Sequence, residues 1–226
     1  MPTAGTMDEP ERSYIPALGK RWLLPLYDPM LWLFGADSAK RPLIEQAEIK
    51  PGFRVLDIGC GTGSMAVLIK REHPDADVIG IDPDPAALAV CKRKANRSGF
   101  AIEFDRAFAD HLPYADASFD RVFSSFMFHH LADDEKTATL HELRRVLKPG
   151  ASLHLLDFTR SHSAHSGTPE HGQRVHRHGS VAERIEGRMT SLMDEAGFVD
   201  AREVKRAKNF FGPIAYYRAD KAAKAA

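Results

Sequence analysis

Apolar and polar positions along the chain fall into blocks that read as strands and helices in turn. Residues 53–58 are a short apolar run bounded by turn residues, as expected of a strand buried on both faces. Residues 64–72 follow with Met65, Leu68 and Ile69 at helical spacing. A second strand is expected at 77–82. Pro85 suits the first turn of a helix running to about residue 96, with Ala87, Leu88 and Cys91 on one face. A weak strand at 101–104 and a stronger one at 119–125 come next. Asp133 or Asp134 is placed to cap a helix whose Leu140, Leu143, Val146 and Leu147 point inward. Lys148-Pro149-Gly150 stops that helix, and a fifth strand is expected at 152–158. Residues 159–179 read as a flexible loop, 181–196 as a helix ending at Gly197, and 198–205 with 209–217 as a final hairpin.

Ahead of these blocks, residues 1–13 read as a flexible leader and 14–50 as a helical cap. The cap holds two short helical patterns. The first carries Tyr14, Trp22, Tyr27, Trp32 and Phe34; the second, at 41–48, ends before the turn signal Lys50-Pro51-Gly52. The main domain is then 51–220. Strands alternating with helices imply an α/β fold: a mostly parallel sheet with helices on both faces, extended by an antiparallel C-terminal hairpin.

Composition narrows the function classes. The 226 residues are 43% hydrophobic and 27% charged, which is ordinary for a folded domain. Lysine plus arginine and aspartate plus glutamate number 31 each, so no cationic surplus favours nucleic acid. The two cysteines, Cys60 and Cys91, exclude a disulfide scaffold and a cysteine-rich zinc module. The polar start is neither a secretory signal nor a transit peptide. The apolar stretch 22–34 is broken by Pro25, Asp28 and Pro29 and is too short to span a bilayer. A cytoplasmic protein without a membrane span is expected.

The richest stretch is Val55-Leu56-Asp57-Ile58-Gly59-Cys60-Gly61-Thr62-Gly63. Three alternate glycines lie between a strand and a helix, where backbone N–H groups are free to meet an anion. Gly61-x-Gly63-x-x-Ala66 formally fits a dinucleotide fingerprint, but Asp57 just before it would repel a pyrophosphate and suits a cationic amine. Asp82 ends the second strand, 19 residues after Gly63, where its carboxylate can accept from a ribose diol. A ligand with an amino-acid end and a ribose satisfies both, and S-adenosylmethionine is such a ligand.

VLDIGCGTG, GIDPDP, LPYADASFDRV and a helix ending RRVLKPG, in that order, resemble the class I S-adenosylmethionine-dependent methyltransferases. The likeness is greatest to the group holding the ubiquinone/menaquinone-biosynthesis and many small-molecule methyltransferases. It covers 50–158 well and implies a Rossmann-like sheet. It also implies roles. Asp57, Gly59 and Gly61, within the loop that includes Cys60 and Gly63, would line the methionine part of the cofactor. Asp82 would hold the ribose, with Pro83 beside the adenine. Ala109 and Asp110 fall in the adenine-edge segment. There the family often has an acid followed by alanine, whereas this chain has Phe108-Ala109. Either Asp110 contacts the adenine amine or Phe108 packs on the ring.

On the acceptor side, Ser124 and Ser125 would lie near the methionine end. His129 and His130 are candidate general bases, because imidazole titrates near neutrality; the other reading is packing or capping. Tyr27 in LYDPMLWLF resembles the Tyr-Asp element of the quinone-type enzymes, and would approach the cofactor carboxylate or cover the acceptor. Five histidines at 162, 165, 171, 176 and 178 match no zinc spacing, so no metal is expected; the loop follows the fifth strand, where the resembling family places acceptor-binding elements, and is expected to be a mobile flap over the acceptor. The expected activity is methyl transfer from S-adenosylmethionine to a small apolar or aromatic molecule. The alternatives are a cofactor-binding partner subunit without transfer and a nicotinamide-dependent oxidoreductase. The oligomeric state is not readable.

Overall fold

The computed structural model describes residues 36–159, 188–210 and 212–224. The leader, the whole first cap pattern with Tyr27, the five clustered histidines and the start of the 181–196 helix lie outside the described residues. Seven strands form one sheet: β1 Arg54–Ile58, β2 Asp77–Ile81, β3 Glu103–Asp105, β4 Phe119–Ser125, β5 Leu147–Phe158, β6 Val199–Asn209 and β7 Gly212–Asp220. The described helices are α1 Ala36–Glu45, α2 Ser64–Glu72, α3 Pro85–Ser98, α4 Asp133–Val146 and α5 Arg188–Glu195. The strand order is β3-β2-β1-β4-β5-β7-β6. β1 to β5 pair in parallel, and β7 enters antiparallel between β5 and β6. The mixed sheet with a terminal hairpin is as the alternation implied. The order reverses between β1 and β4, which opens a crevice at their carboxyl ends.

Alternate residues of the strands feed two cores. On one face Leu56, Ile58, Val122 and Leu155 meet Leu140, Leu143 and Met193 of α4 and α5. On the other, Val55, Phe123, Leu156 and Tyr216 meet Leu43, Met65, Ile69, Leu88 and Cys91 of α1 to α3. Burial on both faces explains why these strands read as continuous apolar runs.

Several expected boundaries move. The second cap helix spans Ala36–Glu45 rather than 41–48; it carries Pro42 within it and gives way before Glu48, whose φ is 48°. The α4 cap is Ala132, not an aspartate: its N–H donates to the Glu135 carboxylate at 2.9 Å, and Asp133 is already helical. β5 starts at Leu147, directly after α4, because Leu147 pairs with Phe119 before a register shift resumes at Arg121 and Ser152. The hairpin strands run four and three residues further than expected, to Asn209 and Asp220.

Arg145 explains why two of the recognised segments belong together. Its guanidinium donates to Glu142, to Asp116 and to the Leu112 and Tyr114 carbonyls, at 2.7 to 3.1 Å. The loop before β4 is thus pinned to α4 by a planar fork that lysine cannot reproduce.

His154 is fully buried on β5. Gln46 Nε2 donates to its Nδ1 at 3.1 Å, so its Nε2–H donates to Ser152 Oγ at 2.8 Å. Burial, then the charges of Arg218, Arg121 and Arg202, hold its pKa well below the usual histidine value. The unfolded chain takes up this proton near pH 6.5 and the native state does not, so stability is intact above that pH and falls on acidification. In urea unfolding at pH 7.5 and 5.5, the wild type should lose more stability on acidification than His154→Gln. The difference should be up to about 1.4 kcal/mol per pH unit. Equal losses would contradict a neutral buried imidazole.

Candidate functional site

The loop between β1 and α2 turns on glycines with φ of 61° at Gly59, 55° at Gly61 and 78° at Gly63. Nothing lies within 4 Å of where a Cβ on Gly61 would stand, so this backbone faces open space. A Cβ on Gly63 would meet Cys91 Sγ at 3.0 Å and its Cα at 3.4 Å, so glycine lets α2 begin against α3. Lys94 of α3 donates to Ser64 Oγ at 2.9 Å and ties down the same helix start. Cys60 is turned inward. Its thiol lies 3.9 Å from that of Cys91, which itself donates to the Gly61 carbonyl at 3.0 Å. Only the backbone of Cys60 belongs to the loop's open side.

Two carboxylates flank this loop in different states. Asp82 accepts from the Gly61 N–H and the Asp84 N–H, each at 2.9 Å, and so joins the loop to the end of β2. Burial pushes its pKa up to about 6, against those two amides. Each of its oxygens keeps a further lone pair. Pro83 follows, half-buried, and Asp84 caps α3 through the Ala86 N–H at 2.9 Å.

Asp57 is fully buried, and neither carboxylate oxygen has a hydrogen-bond partner among the described residues. Burial raises its pKa to about 7; the Lys40 ammonium and the Ala66 amide pull the other way, and Asp82 adds to the rise. A lone buried carboxylate is expensive to keep. It lies at the end of β1, beside the open glycine and the start of α2.

β4 delivers the opposite wall. Ser125 shares a sheet face with Phe123 and hence with Asp57, whereas Ser124 shares the other face with Ile58. The Ser124 hydroxyl is buried and has no partner among the described residues. Phe126 then adopts φ 57°, held by its N–H to the Leu156 carbonyl at 2.8 Å. This left-handed phenylalanine marks a strained turn at the edge of the site. Met127 follows, on the spot a Cβ of Gly59 would occupy, so the two loops touch.

His129 is locked. Asp157, at the end of β5, accepts its backbone N–H at 2.9 Å and its Nδ1–H at 2.6 Å. A carboxylate can only accept, so Nδ1 carries the proton and Nε2 is the basic nitrogen. The His130 ring lies 3.9 Å from that of His129, and its pKa is lowered by burial and by the His129 charge. Phe158 meets His129 edge-on at 5.2 Å and Phe126 at 5.0 Å.

The structure thus brings Asp57, the glycines, Asp82, Pro83, Ser125, His129 and His130 to one edge of the sheet. Ser124 lies just below it. Ala109 and Asp110 are half-buried on the loop after β3, where Phe108 and His111 form an isolated bridge, and Ala109 packs against the α4 core. Sequence reasoning missed Asp157, Lys40 and Met127. Asp157 had a signal: like VLDI and GIDP, LLDF is an apolar strand with an aspartate at its carboxyl end. Lys40 and Met127 had none.

Residues 55–150 match the family described as a methyltransferase domain. The matched stretch runs from β1 into β5 and so takes in the glycine loop, Asp82 and the histidine turn. Two curated relatives extend the likeness. The demethylmenaquinone methyltransferase of Thermus thermophilus is 41% identical over 139 residues, 60% of this chain and 62% of that protein. The ubiquinone/menaquinone biosynthesis C-methyltransferase UbiE of Xanthomonas campestris is 39% identical over 124 residues, 53% of this chain and 48% of that one. The chain therefore spans less than two thirds of the relatives it matches. A solved structure described as an S-adenosylmethionine-dependent methyltransferase, from Aquifex aeolicus, shares the fold. Its TM-score is 0.64 at 22% identity, over 89% of this chain and 98% of that one.

In the ligand-free protein Asp57 opposes folding. Its native pKa near 7 exceeds its unfolded value, so the penalty is absent in acid and grows as pH rises, up to the native pKa. Asp57→Asn should stabilise the ligand-free protein by about 4 kcal/mol at pH 8 and by far less at pH 4. Urea denaturation across that range checks it; a gain independent of pH would contradict the assignment.

Proposed function

We propose that this protein transfers a methyl group from S-adenosylmethionine to a small apolar or aromatic acceptor. The buried Asp57 carboxylate, with no hydrogen-bond partner among the described residues and beside an open glycine loop, carries the reading: it suits a cation, and the cofactor's amino group is one. The residues present fit that cofactor. Asp57 would take the ammonium, Gly59 and Gly61 the methionine backbone, and Asp82 the ribose hydroxyls through its remaining lone pairs, with Pro83 against the adenine. Cys60 and Gly63 would serve by backbone and by packing. Ala109 and Asp110 are proposed at the adenine edge, Ser124 and Ser125 near the methionine end, and Tyr27 over the cofactor or the acceptor. When bound, S-adenosylmethionine supplies an electrophilic methyl on a sulfonium.

Against that methyl the chain has three tasks: to align the acceptor, to exclude water and to remove a proton. Phe126, Phe158 and Met127 offer an apolar surface on which to align it. The His129 Nε2 would accept the proton that the acceptor gives up. Asp157 fixes the imidazole tautomer and steadies the imidazolium. His130 stands beside it, its ring 3.9 Å from that of His129, and is the second candidate. The names of the curated relatives make a reduced naphthoquinone the acceptor to try first.

Titration calorimetry should give micromolar affinity for S-adenosylmethionine and S-adenosylhomocysteine and no heat with NAD; the reverse would overturn the reading. With demethylmenaquinol as probe, His129→Gln and Asp157→Asn should each lose 100-fold or more in kcat, roughly the range for general acid–base groups, while cofactor Kd stays within about twofold. Cofactor binding without turnover on any acceptor would indicate a partner subunit instead.

A further inference from the structure

We propose that the tip of the β6–β7 hairpin docks on an anionic lipid surface and holds the catalytic edge against it. The docking stands on the hairpin alone; its use, delivery of an acceptor dissolved in that surface, rests on the function proposed above. Phe210 is 70% exposed, well above the other exposed large apolar residues among those described, Val199 and Val204 at 45% each. Its presentation is built. Asn209 Oδ1 accepts the Gly212 N–H at 3.0 Å and closes the turn around it.

The tip also lies at a telling end of the sheet. Phe158 pairs with Ile214, and the Thr159 N–H donates to the Pro213 carbonyl at 3.1 Å. The turn before Pro213 therefore reaches past the carboxyl end of β5, the end that bears Asp157 and His129. An exposed aromatic there lies beside the site.

Charge supplies the choice of partner. Lys205, Arg206 and Lys208 are exposed in the last turn-ward stretch of β6, and no acid occurs from 205 to 213. Lys205 lies on the sheet face of Tyr216, with its ammonium 5.9 Å from that ring, while Arg206 pairs with Ala215 on the other face. Arg206 is shared with Glu203, but among the described residues no carboxylate is paired with Lys205 or Lys208. Cations around an exposed aromatic match a headgroup layer over an apolar interior. The chain as a whole is electrically neutral, so any attraction must be local to this patch and sensitive to salt.

The test is co-sedimentation of the full chain with phosphatidylglycerol/phosphatidylcholine vesicles and with phosphatidylcholine alone. The wild type should partition at least fivefold more strongly to the anionic vesicles, and 0.5 M salt should remove the difference. Phe210→Asp, and separately Lys205→Glu with Lys208→Glu, should each cut partitioning tenfold. Calorimetric S-adenosylhomocysteine affinity should stay unchanged in the variants, which reports an intact fold and keeps this proposal separable from the functional one. Wild type left in the supernatant with anionic vesicles would overturn the proposal. So would variants that bind as well as wild type, which would move the contact to another surface, or equal binding to both vesicle types.

Discussion

A buried carboxylate near the end of β1, with no hydrogen-bond partner among the described residues, is the constraint on which this structure turns. Asp57 can be held there only because β1 is fixed on both sides by β2 and β4 and covered by α2. The same strand position makes it useful, since the carboxyl ends of β1 and β4 flank the crevice where the strand order reverses. Burial has driven its pKa to about 7, so the ligand-free protein holds this group between its charged and neutral forms. In the proposed reading a bound ammonium settles that balance. Folding free energy given up at Asp57 is then returned as affinity, a trade common at binding sites.

The rest of the edge divides the work among three aspartates that end three strands. Asp82 is held by two loop amides and organises the glycine turn. Asp157 is held by the His129 backbone and imidazole and organises the opposite turn. Asp57 is held by neither. The two turns meet where Met127 lies on Gly59. The left-handed Phe126 is the bend that brings the histidine loop back over the glycine loop. Strain there is matched by the hydrogen bond from its N–H to the Leu156 carbonyl and by aromatic packing on Phe158.

Much of this was legible in the sequence because its signals were local. Ser64–Glu72 and Phe119–Ser125 fall where periodicity put them, since each is an apolar block with hard stops at both ends. Asp57, Asp82 and the glycines stood out because strand, turn and helix follow within a few residues. What escaped was set by pairing across the sheet. β5 begins five residues early because Leu147 finds Phe119, which no local pattern announces. The partnership of His129 with Asp157 joins residues 28 apart in the chain, and only the register of β4 on β5 makes them neighbours. The Lys40 charge acts on Asp57 from a helix whose own start was misplaced by five residues, its sequence being interrupted by Pro42.

The central claim is that Asp57 awaits a cation, and proton release on cofactor binding tests it most directly. Calorimetric titration of S-adenosylmethionine at pH 6.5 in buffers of different ionisation enthalpy counts the protons exchanged. With a free-protein pKa of about 7, Asp57 is mostly protonated at that pH and must ionise to pair with the ammonium. The account predicts release of roughly half a proton or more per cofactor bound, declining at higher pH. Binding with no proton release at pH 6.5, or with net uptake, would contradict it.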